Sequence, residues 1–590
     1  MPTLHWIGKD KVINHHAEVP FRVLQHKYGY RGEQPADKTA THGGNKIIHG
    51  DNLEALKALL PEYEGRVDCI YIDPPYNTGN EGWGYNDNVN DPHIRKWLGE
   101  VVGAEGEDLS RHDKWLCMMY PRLRLLQQLL SENGTIFISI DDRELIHLRE
   151  VCNEIFGYNN FLALFVWQKR TSPDMRKIVS TAHEYICAYC KNIDNLNESI
   201  NKLSFGEEQV NAFKNPDNDP RGSWTSSDYT AQGFRPNQMY EIITPGGAHY
   251  FPPKGKCWKN IESEFIRQKE EGRMWFGLDG NGFPRRKNYL SEREGLNVWT
   301  WWDNKSVGHN QEATQELSRI FETAAMFDYP KPMRLIERVV QIATRKNSIV
   351  LDSFAGSGTT AHAVLDLNKK DGGNRKFILI EMMDYAETIT AERVRRVIAG
   401  YPYKGKKEEE IYSKKLTTTN ILKADEILKE AESVADKVKD KYDKVGKPKI
   451  ADNCIKVMGT KVYEERMEGL GGSFDYYELG EPLFNEDGTL NEAVGADKIR
   501  AYVYYTETHQ HLARQQDTDY PYLLDYHGGT GYFFYYEPDN VTTISYDILH
   551  IVPQKAEHYV IYADVCTLGK EQLAKMNIVF KKIPRDINRF

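Results

Sequence analysis

Cysteine is scarce in this sequence, with eight scattered at irregular spacing along 590 residues. That usage excludes a disulfide framework and points to a reducing compartment. Only Cys187 and Cys190 form a CxxC pair; no second pair follows to complete a zinc set, and the surrounding segment 184–190 reads as a buried strand. His15 and His16 are adjacent, so in an extended segment their side chains point to opposite faces, and no metal is expected anywhere. Long apolar runs are missing as well. The stretch from Phe161 to Trp167 is among the longest and falls far short of the ~20 residues of a membrane helix. The N-terminus has no signal-peptide apolar core, so a soluble cytoplasmic protein with no membrane partner is expected. Net positive charge is missing too: at −10 there is no global attraction to nucleic acid, and any DNA contact must come from local clusters. Lys169-Arg170 and Arg285-Arg286-Lys287 are such clusters, although each taken alone reads as solvated surface.

Hydrophobic residues at 40% and charged residues at 27% are ordinary for folded proteins, and the length calls for two to four domains. Internal repeats and low-complexity tracts are absent. Hydrophobic periodicity predicts a strand at 46–49, a helix at 53–60, a strand at 67–72, a helix at 113–130, a strand at 135–140 and a helix at 142–156. From about Asn160 to Phe321 the periodicity weakens, and six of eleven tryptophans fall between Trp224 and Trp302. Alternation then resumes with a helix at 333–344, a strand at 348–351, a Gly-rich turn, a helix at 359–367 and a strand at 376–380. Such alternation predicts an α/β, doubly wound, Rossmann-like sheet split by an insertion. Beyond Gly400, apolar residues from Ile427 to Val445 recur at helical spacing, and the Tyr-rich remainder shows strand-like alternation at 501–505 and 559–562. The expected segments are an N-terminal piece 1–45, a catalytic half 46–160, an insertion 161–325, a cofactor half 326–400, a helical arm 401–450 and a mixed α+β C-terminal domain 451–590.

The tetrad Asp73-Pro74-Pro75-Tyr76 follows directly on a predicted strand, and ligands bind at the carboxyl ends of such strands. Its residue types suit methylation of an exocyclic amine whose lone pair is delocalised into an adenine ring. Asp73 supplies one acceptor for the amine protons, the Pro74 carbonyl on a stiff backbone supplies another, and Tyr76 offers a face for an extruded base. A plain Pro-rich turn is the competing reading. A second feature, Val350 to Thr360, places a Gly-rich turn between a strand and a helix N-terminus, an arrangement that cradles nucleotides. No Lys follows the turn, so it is no Walker loop, and no further Gly completes a dinucleotide fingerprint. Asp352 can accept from an ammonium group, Gly356 and Gly358 allow close backbone approach, and Glu381 ends the next strand where an acid grips ribose hydroxyls; a helix-capping carboxylate is the alternative for Glu381.

The tetrad and its extension Asp73-Pro-Pro-Tyr-Asn-Thr-Gly79, followed downstream by Phe354-Ala-Gly-Ser-Gly358, resemble the β class of amino-methylating DNA methyltransferases. More closely, the chain is similar to the modification (Mod) subunit of type III restriction-modification systems. Tyr120-Pro-Arg-Leu123, Ile138-Ser-Ile-Asp-Asp142, Val307-Gly308, Tyr329 through Ile336 and Thr359 through Gly373 carry the likeness further. The resemblance implies S-adenosylmethionine as cofactor and double-stranded DNA with a flipped adenine as substrate, since the tetrad begins with Asp. It implies catalytic roles for Asp73, Pro74, Pro75 and Tyr76. It implies cofactor contacts from Asp352, Phe354, Gly356, Gly358 and Glu381, and from Lys331 with Pro332 at the methionine end. Asp51 is either the acid near the cofactor adenine or a helix cap. The Trp-rich insertion becomes the target-recognition region, with a second copy of the chain and a helicase-nuclease restriction subunit as candidate partners. An orphan regulatory adenine methyltransferase and a methyltransferase of non-DNA amines or amides are the alternatives. The loop 80–111, holding Glu105, Glu107 and Asp108, reads either as a closing segment or as a lid without specific role.

Overall fold

In the computed structural model, residues 3–585 are described except 33–36, 78–110, 324–325, 418, 420, 452, 515, 517–518, 548–551 and 553–555. The acidic loop with Glu105, Glu107 and Asp108 therefore lies outside the described residues. The chain forms two compact units, one of residues 1–200 with 300–590 and one of residues 201–299.

The first unit is built on a sheet of ten strands among the described residues. In chain order its part before residue 200 contains β1 (Arg22–Arg31), β2 (Lys46–His49), α1 (Asn52–Tyr63), β3 (Val67–Ile72), α2 (Arg111–Leu129), β4 (Leu130–Ile140), α3 (Leu145–Phe156), β5 (Phe161–Gln168) and β6 (His183–Cys190). After residue 300 come β7 (Trp301–Trp302), α4 (Asn310–Phe321), α5 (Met333–Ala343), β8 (Ile349–Asp352), α6 (Thr359–Asp371), β9 (Lys376–Glu381), α7 (Glu392–Ala399), β10 (Gly400–Lys415), α8 (Ala424–Lys437), β11 (Cys454–Glu468), β12 (Ser473–Pro482) and α9 (Ala496–Thr508). The strand order is β1-β12-β2-β9-β8-β3-β4-β6-β5-β7.

Strand β3 is buried on both faces, as a central parallel strand must be. Its neighbours β8 and β4 both run parallel to it. From β3 the chain winds through α2 to β4 on one side; from β8 it winds through α6 to β9 on the other. The winding direction reverses between β8 and β3, which opens a crevice at their carboxyl ends. Helix α5 contributes Leu335, Ile336, Val339, Val340, Ile342 and Ala343 to the interior, each large aliphatic stabilising by ~1.5–3 kcal/mol on burial.

Several expectations need correction. Segment 161–325 is not one insertion: β5, β6 and β7 are strands of the central sheet, and only 201–299 forms a separate unit. Strands β5 and β6 pair antiparallel with each other and carry their apolar residues into the sheet. The Gly, Pro and Asn content of the following stretch masked that continuity. The arm 401–450 is mostly not helical, because β10 pairs with β11 over its whole length. Helix α8 ends at Lys437 and buries Ile427 and Ala431 beside Ile455 and Val457. Segment 501–505 lies in helix α9 rather than a strand. Five residues are too few to separate period 2 from period 3.6; the buried Ile499 and Val503 four apart, with Tyr504, show the helical period. The C-terminal region is also not wholly apart from the core, since β12 pairs parallel with β2 and antiparallel with β1.

In the second unit, short strands at Trp224–Asp228, Met274–Trp275 and Arg285–Tyr289 form one small sheet. Tyr229, Ile242, Trp258, Phe265, Met274 and Phe276 make the core. The basic cluster is partly structural: Lys287 is buried and ion-paired with Asp217 and Asp219, and Arg285 donates to the Ser226 hydroxyl at 2.8 Å. Among the described residues no helix is long and apolar enough to cross a membrane.

Candidate active site

Parallel pairing of β3 with β8 sets Asp73 and Asp352 at neighbouring strand ends. The Asp73 carboxylate accepts from two side chains: Lys331 Nζ at 2.6 Å on one oxygen and the Tyr76 hydroxyl at 2.8 Å on the other. Lys331 also stands 5.1 Å from the centre of the Tyr76 ring. Behind them lies Glu184, a buried carboxylate at the start of β6. It accepts from Lys169 at 2.7 Å and from the Tyr76 hydroxyl at 3.4 Å, and its other contact is Lys331 at 3.9 Å. Two lysines and a phenol thus converge on two carboxylates.

The turn after β3 is held from several sides. The Trp115 indole donates to the Pro75 carbonyl at 2.6 Å. Asn77 takes a left-handed conformation, φ +59°, that Asn tolerates better than most residues. Its side-chain amide donates to the fully buried Glu144 at 2.5 Å, and the Nδ1 atoms of His112 and His147 contact the same carboxylate at 2.7 and 3.0 Å. These three residues have a composition that can hold a metal, but the ring nitrogens meet the carboxylate directly, as hydrogen bonds.

The Gly-rich turn is equally determined. Gly356 and Gly358 have φ of +52° and +79°, and a Cβ on Gly358 would stand 3.0 Å from the Thr390 carbonyl, so glycine is required there. Asp352 accepts from the Thr360 hydroxyl at 2.5 Å and the Phe354 amide at 3.0 Å. Glu381 accepts from the Gly356 amide at 2.7 Å and the Met383 amide at 3.0 Å, so it braces the turn from the next strand. Burial pushes the carboxyls of both Asp352 and Glu381 up to about 7, because desolvation of the charged form outweighs the donors that each carboxylate accepts from.

Asp51 is the N-cap of α1: its carboxylate accepts from the Leu53 and Glu54 amides. Arg122, buried, links Asp51 to Asn52, whose amide donates to the Ser353 carbonyl. The Tyr120-Pro-Arg-Leu123 motif therefore ties α2 to the end of β8 through the Arg122 guanidinium and the Asn52 amide.

Two cavities open at these strand ends. The larger, about 480 Å³, is lined by Asp73, Pro74, Tyr76, Glu184 and the basic residues Lys169 and Arg170. The smaller is lined by Tyr71, Asp352, Phe354, Ala355, Gly356 and Thr360. They share three residues: Asp73, Tyr329 and Lys331. Tyr329 has φ +53°, a strained value for a bulky residue that is kept where surrounding structure over-determines it. The Lys331 carbonyl accepts from Thr359 at the start of α6, which fixes the segment between the two cavities.

Asp73, Pro74, Tyr76, Lys331, Asp352, Phe354 and Gly356 are thus brought together, with Glu381 behind the turn. Glu184 was not expected as a site residue, whereas the sequence marks Lys169 only as part of a basic cluster and Tyr329 only within the segment that carries the resemblance. A carboxylate heading an otherwise apolar strand is the signal that marks Glu184, because buried Glu is rare unless paired.

The sequence model of the N6/N4 DNA methylase family matches residues 67–392, more than half of the chain. The type III restriction-modification enzyme StyLTI Mod subunit of Salmonella typhimurium is 36% identical over 57% of this chain and 52% of its own length. The EcoPI Mod subunit of Escherichia phage P1 is 32% identical over 71% of this chain and 69% of its own. The type II methyltransferase M.KpnI of Klebsiella pneumoniae is 32% identical over 59% of this chain and 82% of its own. The chain spans about half the length of the StyLTI relative it matches. The matched region runs from the first residue of β3 to the first of α7 and so takes in both strand ends that line the cavities; the chain belongs to the N6/N4 DNA methylase family.

Proposed function

We propose that this chain methylates N6 of adenine in double-stranded DNA at a specific sequence, using S-adenosylmethionine, as the modification and recognition subunit of a type III-like restriction-modification system. The observation that carries the reading is the meeting of the two cavities at Asp73, Tyr329 and Lys331. A donor held over the Gly-rich turn and a base held against Tyr76 then face each other across Asp73. S-adenosylmethionine, when bound, supplies a methyl group on a sulfonium that leaves readily, so the protein's task is positioning. Asp352 offers an anion to the ammonium of that cofactor, and Phe354 and Gly356 line the same cavity. Each Glu381 oxygen, already taking one amide, retains acceptor capacity for ribose hydroxyls. Asp73 and the Pro74 carbonyl accept the amine protons, and the Tyr76 ring supports the extruded base. Sequence choice is assigned to the compact unit 201–299.

Sequencing of methylated adenines in DNA from cells expressing this chain alone tests the reading. Methylation at one short motif is expected, changing when the unit 201–299 is replaced by a relative's; uniformly unmethylated DNA would overturn it. No cleavage of unmodified DNA is expected from the purified chain with ATP and magnesium, because cutting is assigned to a separate helicase-nuclease subunit. The likeness to M.KpnI favours a second reading, a methyltransferase acting without such a subunit. Co-purification with a restriction subunit encoded beside it separates the two.

Cofactor binding has an expected pH dependence. Folding raises the Asp352 and Glu381 carboxyls from ordinary values near 4 to about 7. The unliganded protein therefore loses stability as pH rises through that window, where the unfolded chain has released protons that the folded state still holds. A cationic ligand needs the ionised Asp352, so its affinity should rise about tenfold between pH 6 and 8 and then level off. Calorimetric titration in buffers of different ionisation enthalpy should show proton release near pH 6. Asp352→Asn should bind weakly with a flat profile; an unchanged, sloping profile in that variant would remove Asp352 from the role.

A further inference from the structure

The connection from β5 to β6, residues 169–182, is a built hairpin. At its base the Lys169 and Arg170 amides donate to the Ala182 carbonyl at 2.9 and 3.3 Å. Nearer the tip the Asp174 amide donates to the Ser180 hydroxyl at 2.8 Å, and the Lys177 amide donates to the Asp174 carbonyl at 3.0 Å. The Asp174 carboxylate receives Arg176 through two nitrogens, both at 2.9 Å, with Arg170 at 3.7 Å. The tip presents Met175, Ile178 and Val179 at 90%, 106% and 84% exposure. Single exposed aliphatics are ordinary, but three within five residues on one hairpin form an apolar point that water does not favour. Three cations, Arg170, Arg176 and Lys177, flank that point against the single carboxylate of Asp174, while Lys169 at the base is paired inward with Glu184. Arg170, Arg176, Lys177 and Thr181 also line the cavity that holds Asp73 and Tyr76.

We propose that this hairpin is a DNA wedge: Arg176 and Lys177 grip phosphates beside the target nucleotide, while Ile178, Val179 and Met175 enter the base stack at the place the extruded adenine leaves. The proposal rests on the reading of the chain as a DNA adenine methyltransferase. A flipped base leaves an apolar gap between two base pairs and costs a few kcal/mol of unstacking and unpairing. Aliphatic side chains are what proteins insert at such steps, and cations beside them draw in the backbone. In a chain of net charge −10 a cationic hairpin at the rim of the catalytic cavity supplies the attraction that the whole molecule lacks. The occupant is therefore a duplex.

The test uses the full chain and a duplex carrying 2-aminopurine at the adenine identified by sequencing. Wild-type protein should raise its fluorescence, and single-turnover methylation of the unlabelled duplex should follow. A Met175→Ser, Ile178→Ser, Val179→Ser triple variant should lose the fluorescence rise and methylate the matched duplex about tenfold more slowly. On a duplex with an abasic site opposite the target, where extrusion is easy, its loss should shrink to about twofold. Its cofactor titration should match wild type, which reports an intact fold. Arg176→Gln with Lys177→Gln should weaken binding to every sequence and flatten the salt slope by about 1–2. Equal losses of the triple variant on both duplexes, or none on the matched one, overturn the wedge alone. A triple variant unchanged on DNA but altered in sedimentation assigns the tip to a protein contact and also overturns it. Wild-type protein that methylates no duplex overturns the adenine methyltransferase reading and the wedge together.

Discussion

Asp73→Ala is expected to lower single-turnover methylation by about a thousandfold or more, the scale on which removing one preorganised charge-stabilising group acts, while leaving cofactor affinity within about twofold. The geometry explains why binding and chemistry separate. Asp73 lies at the boundary of the two cavities, and the Gly-rich turn that lines the smaller one is held by other groups, Thr360 on Asp352 and Gly356 on Glu381. The substitution leaves Lys331 and the Tyr76 hydroxyl without their first acceptor, but Glu184 stands 3.9 and 3.4 Å from them. That second carboxylate limits the cost of stranding a cation, so the variant should fold. Cofactor titration by calorimetry beside methylation with radiolabelled donor makes the measurement. Substantial activity in Asp73→Ala would falsify its role as acceptor, and a matching loss of cofactor affinity would make it a cofactor residue instead.

The parts that were legible in the sequence are those encoded locally. Strands β3, β8 and β9 announce themselves as short apolar runs ending in Asp73, Asp352 and Glu381, and each run is followed by turn or cap chemistry that only one local structure satisfies. What was not legible depends on partners far away in the chain. Strand β12 lies next to β2 across more than 400 residues, and nothing in Ser473–Pro482 names that neighbour. Strands β5 and β6 are apolar enough to read as strands, yet their place in the central sheet follows from pairing with β4, which sequence spacing does not encode. The same holds at the site. The tetrad is a local motif, whereas Glu184 acquires its meaning only when β6 is set beside β4 and the Tyr76 hydroxyl comes within 3.4 Å. Arg285 and Lys287 show the converse error. A run of three basic residues reads as surface, but alternation along a strand turns Lys287 inward onto Asp217 and Asp219.

Tyr76 separates the ring from its hydroxyl. The hydroxyl donates to Asp73 at 2.8 Å, yet Lys331 holds the other oxygen of the same carboxylate at 2.6 Å. Tyr76→Phe therefore removes one anchor and leaves Lys331 in place, and a loss of no more than about tenfold is expected, the scale of one neutral donor on a charged acceptor. Burial keeps the phenol well above its ordinary range, so it stays a neutral donor throughout the working pH range. Tyr76→Ala removes more. It takes away the face for the base, worth ~1–3 kcal/mol, and empties part of a packed core that includes Trp115 and Ile72, at about 3–5 kcal/mol of stability. A fall of about a hundredfold in methylation is expected for the alanine variant, and Tyr76→Trp should fall between the two. Part of the alanine defect should return on a duplex with a mismatch or an abasic site opposite the target, because stacking then has less unpairing to offset. Thermal unfolding measured beside methylation divides lost stability from lost catalysis. If Phe and Ala variants lost activity equally at temperatures where both are folded, the hydroxyl on Asp73 would be the working part of this residue and the ring would be packing.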